Sequence, residues 1–212
     1  MVEVSDEAVA TYQRDGVVVL RGVFRDWVEP LLAGMAAAHA QPSALERSYQ
    51  PSDGSAPFFQ DFCRWPDIPQ FRSYVFDSPA AAIAARLMRS RTARFFHDHT
   101  LIKWPGNSTV TPWHQDEPYY CVRGEQSVSF WTPLDPVSAA TSLQCVAGSH
   151  RWSAKGFRPD RFDGTSLYAK SDFDPLPDIE AQRSTHDIRV WDMQPGDAVA
   201  FDFRTVHGAA AN

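Results

Sequence analysis

Apolar positions fall three residues apart in SDEAVATYQRDG, where Val9 and Tyr12 share one side, and this predicts a short helix over residues 5–14. Asp15-Gly16 supplies its stop, and VVVL at 17–20, β-branched and apolar throughout, predicts a strand. Asp26 and Glu29 have the spacing of a capping box. Behind them Trp27, Val28, Leu31, Leu32 and Met35 recur at helical intervals, so a second helix should run to about residue 40. Pro30 falls in its first turn, where a missing N–H costs little. Residues 41–57 are rich in Ser and Pro and read as a loop, and FFQDFCRW after them reads as an aromatic cluster between loops. Ser78-Pro79 before AAAIAARLM predicts another helix, with Ser as N-cap and Pro in the first helical position.

From about residue 93 the period shortens. ARFFHDHTLIKW, EQSVSFWTPL, TSLQCVAGS, HDIRVW and DAVAFDF are short β-branched or aromatic runs divided by Pro, Gly and Asp. Gln194-Pro195-Gly196-Asp197 is a turn before the last of them. Helices first and many short strands afterwards predict a mainly β fold with N-terminal helices packed on a jelly-roll core. The expected organisation is a single domain over 1–212, with 1–92 mostly helical layer and loops and 93–212 the core. Residues 153–185 break the rhythm with Pro, Asp and Gly, and insertions of that kind are usually functional or disordered.

Composition narrows the function classes. The chain has 212 residues, 43% of them hydrophobic, enough for one sizeable core. Its net charge of −6 and scattered Lys and Arg give no basic stripe, so nucleic acid is not an expected partner. Cys63, Cys121 and Cys145 are too few and too far apart for a disulfide framework and read as reduced thiols. The acidic, polar N-terminus is no signal peptide, and no apolar run approaches membrane-spanning length. The expected setting is cytoplasmic, without a membrane.

Of the seven histidines, His39 and His186 read as ordinary polar residues, His39 at a helix end where a cation suits the dipole. TPWHQDEPYY sets His114 and Asp116 two positions apart, and on an extended chain such residues point to one face. A third ligand must come from elsewhere. His207, at the end of the run DAVAFDFRTVH, puts an imidazole at the far end of a separate strand that a closed sheet can bring near. Two histidines and a carboxylate on one face of an ion, with positions left open, is the ligand set of non-heme iron(II) oxygenases. His97-Asp98-His99 has the same spacing and is the competing arrangement, suited to zinc or copper.

Five ordered blocks, LIKWPG, TPWHQDEPYY, SFWTPLDP, VAGSHRW and PGDAVAFDFRTVHGAAAN, resemble the phytanoyl-CoA dioxygenase-like family of iron(II)/2-oxoglutarate oxygenases. The likeness runs from about residue 95 to the end. It implies a double-stranded β-helix (jelly-roll, cupin-like) core, with His114, Asp116 and His207 as iron ligands. By the same resemblance Trp131 would lie beside 2-oxoglutarate, His99 would contact the cofactor, and Gln60 would face its pocket, while His150 in GSH stabilises a turn. The implied reaction hydroxylates a small-molecule substrate with molecular oxygen and decarboxylates 2-oxoglutarate to succinate. Family members that halogenate lack the carboxylate ligand, and Asp116 is present, which implies hydroxylation.

One feature departs from the family. Its arginine for the distal carboxylate of 2-oxoglutarate lies about ten residues after the distal histidine, whereas this chain stops at Asn212. The expectation is a fragment lacking its last strand, with Arg204 or Arg123 as possible substitutes. Two other classes remain open: a catalytically inactive or truncated jelly-roll binding module, and a cupin-like metalloenzyme that does not use 2-oxoglutarate. Trp113, Tyr119, Tyr120 and Trp131 suit an apolar or ring-containing ligand.

Overall fold

Ser5 is extended, and its hydroxyl accepts the Ala8 amide at 3.1 Å, so helix α1, Asp6–Asp15, begins where the pattern places it. It ends because Gly16 takes a left-handed conformation (φ 71°) and returns its N–H to the Tyr12 carbonyl. Gly16 is also crowded, since a Cβ there would run into the ring of His150. The computed structural model describes residues 4–160, 165, 167, 168 and 172–212.

Strand β1, Val17–Leu20, follows at once. Helix α2, Val28–Ala40, is preceded by a 3₁₀ turn, Arg25–Trp27. The predicted capping box does not form. Asp26 is wound into that turn, Trp27 holds the cap position without a side-chain bond, and Glu29 is already inside the helix. Helices α3, Pro69–Asp77, and α4, Ala80–Leu87, complete the helical layer; α3 is not among the predicted helices. Pro79 holds the cap position of α4, one residue later than predicted, and the Ser78 hydroxyl accepts the Ala80 amide at 3.2 Å.

The remaining strands are β2 Phe58–Phe62, β3 His99–Lys103, β4 Thr111–His114, β5 Ser129–Trp131, β6 Leu143–Val146, β7 Ile188–Arg189, β8 Ala198–Phe201 and β9 His207–Ala209. All pairings are antiparallel: β1-β8-β5, β4-β9-β6-β7 and the pair β2-β3. The aromatic cluster at 58–62 is therefore a strand and not a loop feature. Its alternation is masked because both faces are covered, with Asp61 held on one of them by Ser43 and Arg64. Two strands from the first 92 residues thus join the sheets, β1 pairing with β8 along its whole length.

Alternation assigns the faces. Val18, Leu20, Ala198 and Ala200 turn outward onto α1 and α4, forming one core with Val9, Tyr12, Phe24, Ile83 and Leu87. Val17, Val199 and Phe201 turn the other way and meet Leu143 and Cys145 of the opposing sheet, with Met193 beside them. Two antiparallel sheets facing across an apolar interior, with helices outside one of them, make a jelly-roll core. Of the irregular segment 153–185, residues 161–164, 166 and 169–171 lie outside the described residues. Phe157 and Ile179 within it are buried against Val146 and Val206. No helix among the described residues is long and apolar enough to cross a membrane.

Candidate metal centre

β4 places His114 directly opposite His207 of β9, and β6 flanks β9 on its other side with Cys145 opposite the same histidine. His207 opens β9 and does not end β8. The chain leaves β8 at Phe201 and turns through Asp202–Thr205, with the Thr205 amide donating to the Asp202 carbonyl at 2.8 Å. Asp116 is also placed differently from the expectation. β4 stops at His114, and Asp116 has helical backbone angles (φ −75°, ψ −42°) at the head of a 3₁₀ turn, Glu117–Tyr119. The amides of Asp116 and Glu117 both donate to the Phe203 carbonyl, at 2.8 and 2.9 Å. Buried Gln115 pins the corner by donating to the Arg204 carbonyl and accepting the Phe157 amide. Tertiary hydrogen bonds, not strand pleating, bring the carboxylate round.

His114 Nε2 lies 3.7 Å and His207 Nε2 3.6 Å from Asp116 Oδ1, and the ligand atoms of all three fall within 4.8 Å of one another. These separations are too long for hydrogen bonds. Each Nδ1 sits near a backbone carbonyl that only a proton can satisfy, Pro112 at 2.7 Å for His114 and Thr205 at 2.9 Å for His207. That fixes the tautomer and turns both Nε2 lone pairs toward the carboxylate. Ser129 Oγ donates to Asp116 Oδ2 at 3.2 Å and leaves Oδ1 facing the histidines. Burial, and then His207, pushes His114 down to about 4, so its ring is neutral at pH 7. Three electron-pair donors with no proton among them fit a divalent ion, and on one face they leave coordination positions open. They form the only such cluster among the described residues.

His99 stacks on Phe62 with ring centroids 3.9 Å apart. The residue is exposed as a whole, while the protein around its ring desolvates it. That desolvation pushes it down to about 3, and Asp116, His97 and His114 lie near enough to act on its charge, which puts it close to the metal centre. The competing His97-Asp98-His99 group does not assemble. Asp98 accepts the amides of Arg64 and Trp65, and His97 packs edge-on against Phe96 and Tyr120. Trp131 shares the inner face of β5 with Ser129 and packs against the apolar interior. Gln60 is buried on β2 opposite Leu101.

Trp113 points away from the centre, its indole N–H donating to Glu180 at 2.6 Å. Tyr119 stands edge-on to His114, and Tyr120 meets Phe96 and Phe203. Sequence reasoning missed Ser129, Phe96 and Phe203. Nothing local marks any of them, because each reaches the centre through a tertiary contact. His150 is buried in the turn after β6, Arg204 turns to Asp202, and exposed Arg123 pairs with buried Glu117 at 3.4 Å. His39 lies against Phe59 and Trp104, and His186 against Trp152. The three cysteines are free.

The depressed histidines make the metal-free protein acid-sensitive. His99, His114 and His150 all sit below the unfolded value near 6.5, chiefly through burial. Their contribution is complete above pH 6.5 and is lost as pH falls toward 4, because the unfolded chain takes up protons first. Asp98 and Asp202, raised by burial, act in the opposite sense and offset part of it. Urea midpoints should fall steadily from pH 7 to 4.5, and a flat profile would contradict this account.

Residues 12–212 match the profile of the phytanoyl-CoA dioxygenase (PhyH) family. No curated protein matches by sequence. Several solved structures share the fold. SnoK, described as a non-heme alpha ketoglutarate dependent carbocyclase from nogalamycin biosynthesis, aligns with a TM-score of 0.77 at 21% identity, covering 99% of this chain and 79% of its own. EctD from S. alaskensis aligns at 0.74 and 20%, covering 99% and 72%. The epimerase SnoN, crystallised with Fe3+, alpha ketoglutarate and nogalamycin RO, aligns at 0.71 and 22%, covering 98% and 77%.

Proposed function

The chain belongs to the phytanoyl-CoA dioxygenase family, and from that premise we propose that it is an iron(II)- and 2-oxoglutarate-dependent oxygenase that hydroxylates a small-molecule substrate. The observation that carries the proposal is the convergence of His114 Nε2, His207 Nε2 and Asp116 Oδ1, all within 4.8 Å, with both Nδ1 atoms committed to carbonyls. These three residues would hold the iron. His99 and Trp131, on inner faces beside the cluster, would contact the 2-oxo acid. SnoN with Fe3+ and alpha ketoglutarate, and EctD with 2-oxoglutarate and 5-hydroxyectoine, support the choice of cofactors.

Bound there, iron and 2-oxoglutarate supply the oxidising chemistry, in which decarboxylation to succinate is coupled to oxidation of the substrate by molecular oxygen. The protein's own part is positional. Ser129 fixes the carboxylate, the Pro112 and Thr205 carbonyls fix the rings, Phe201 and Cys145 lie against His207, and Phe62 stacks on His99. Tyr119, Tyr120, Phe96 and Phe203 offer aromatic edges at the mouth, suited to an apolar or ring-containing substrate. Asp116 would hold the iron as the carboxylate ligand that halogenating family members lack, which favours oxygenation over halogenation.

Anaerobic addition of 2-oxoglutarate to the iron(II)-loaded protein should raise a weak visible charge-transfer band. Admitting oxygen should then release succinate in step with oxidised substrate. Turnover that ignores 2-oxoglutarate would replace this reading with a different metalloenzyme, and no band with no succinate would leave a binding module.

A further inference from the structure

The irregular insertion between β6 and β7 grips the ligand-bearing segment by the side chains that metal binding does not use. His114 and Asp116 converge on the centre. Trp113 and Gln115, which alternate with them, and Tyr119 just beyond are each bonded to the insertion. The Trp113 indole N–H donates to Glu180 Oε1 at 2.6 Å, Gln115 Oε1 accepts the Phe157 amide at 2.9 Å, and the Tyr119 hydroxyl donates to the Asp160 carbonyl at 2.6 Å. Two described arms make these contacts, residues 153–160 and 172–185.

The ladder alone holds this stretch poorly. Between the pairs Thr111↔Ala209 and His114↔His207, β4 takes three steps where β9 takes two, so a bulge interrupts the pairing beside the ligand. Pro112 within it has no N–H, and its carbonyl is occupied by His114 Nδ1. Packing on the outer face of the sheet makes up the difference. Trp113 lies over Gly208 of β9, where a Cβ would stand 3.4 Å from the indole and 2.9 Å from the Thr111 carbonyl oxygen. Gln144 of β6 is paired with Gly208 and continues the row. Arg183 closes over that row, bonding Glu180 at 2.9 Å and Gln144 at 2.9 Å, with its guanidinium 6.0 Å from the Trp113 ring centroid. The arm itself is anchored. Ile179 is buried in one core with Val146, Phe157 and Val206, and the Asp178 carboxylate accepts the Ala181 amide at 3.0 Å to turn the chain beside it.

We propose that the two arms brace the metal centre from outside, with Glu180 as a positioning residue that sets His114 through Trp113. The inference rests on His114, Asp116 and His207 being the ion's site. Ligand atoms must meet one ion to within about 0.2 Å, and Trp113 shares a peptide plane with His114, so holding the indole limits the freedom of the ligand's backbone. Glu180 and Arg183 are themselves exposed, so their loss should cost the fold little and fall on the site instead.

The test measures cobalt(II) binding to the full chain and its variants by competition with a chromogenic chelator, with urea unfolding alongside. Glu180→Ala and Trp113→Phe should each weaken binding about fivefold, less than the roughly 10- to 100-fold of a partner that touches the ligand itself. The double variant should bind no more weakly than either single one, because both remove the same bond. Glu180→Gln keeps an acceptor oxygen and should restore wild-type affinity to within about twofold. The visible ligand-field bands of bound cobalt(II) should shift in Glu180→Ala and keep their wild-type form in Glu180→Gln. Unchanged affinity and bands in a folded Glu180→Ala protein would make the arm a surface strap and overturn the proposal. Additive losses in the double variant overturn it as well, since the two residues would then act separately. Should Trp113→Phe fail to fold, the two Glu180 variants still decide. A wild-type chain that binds no cobalt(II) removes the metal centre itself, and the brace with it.

Discussion

Asp116→Ala should weaken divalent-metal binding by more than about 100-fold and take 2-oxoglutarate turnover to background. Loss of an outer partner of a metal ligand already costs roughly 10- to 100-fold, and here the only anionic ligand of the cluster is removed. What remains is two imidazoles with ring centroids 4.2 Å apart, each still held by its own carbonyl. The fold should survive, because the corner is pinned by the backbone bonds to Phe203 and by the Gln115 side chain, none of which the substitution touches. Ser129→Ala is the graded control: it frees Oδ2 without removing Oδ1, and about a tenfold loss is expected. Competition with a chromogenic chelator gives the affinities, and thermal unfolding confirms an intact fold. Metal affinity within threefold of wild type in a folded Asp116→Ala protein would mean that the three residues do not form the ion's site.

The identities of these ligands are legible in the sequence, but their geometry is only partly so. His114 and His207 reach each other through the pairing of β4 with β9, strands of four and three residues that are too short for a local pattern to name their partners. Asp116 arrives by another route. The two-residue spacing suggests one pleated face, yet the 3₁₀ turn and the Phe203 carbonyl, a distant partner, place the carboxylate. The same limit hides β2, whose two covered faces blur the alternation, and it turns Trp113 outward although it sits beside a ligand. Local pattern names the strands, and pairing decides what each side chain meets.

Phe24→Ala, by contrast, should cost about 3–5 kcal/mol of stability while leaving the metal affinity of the folded protein within threefold. Phe24 is fully buried where the helical layer meets the outer face of the β1-β8-β5 sheet. Its ring meets Tyr74 of α3 edge-on at 5.3 Å and Phe130 of β5 at 5.5 Å, and its amide donates to the Gly196 carbonyl at 2.8 Å. Truncation leaves a cavity that two large aromatic rings fill poorly, so both the transfer and the cavity costs apply. The metal ligands lie on the opposing sheet and in the turn that follows β4, held by the Pro112 and Thr205 carbonyls, Ser129 and the corner around Gln115. A structural thread between the two regions is β5, where Phe130 faces the helices and Ser129, its neighbour, faces Asp116. Urea unfolding with a constant slope, followed by metal titration well below the transition, separates the two effects. If affinity falls along with stability, the thread through β5 is rigid enough to set the carboxylate, and the helical layer becomes part of the site's support. If affinity holds, the barrel carries the chemistry by itself and the helices serve to keep it folded.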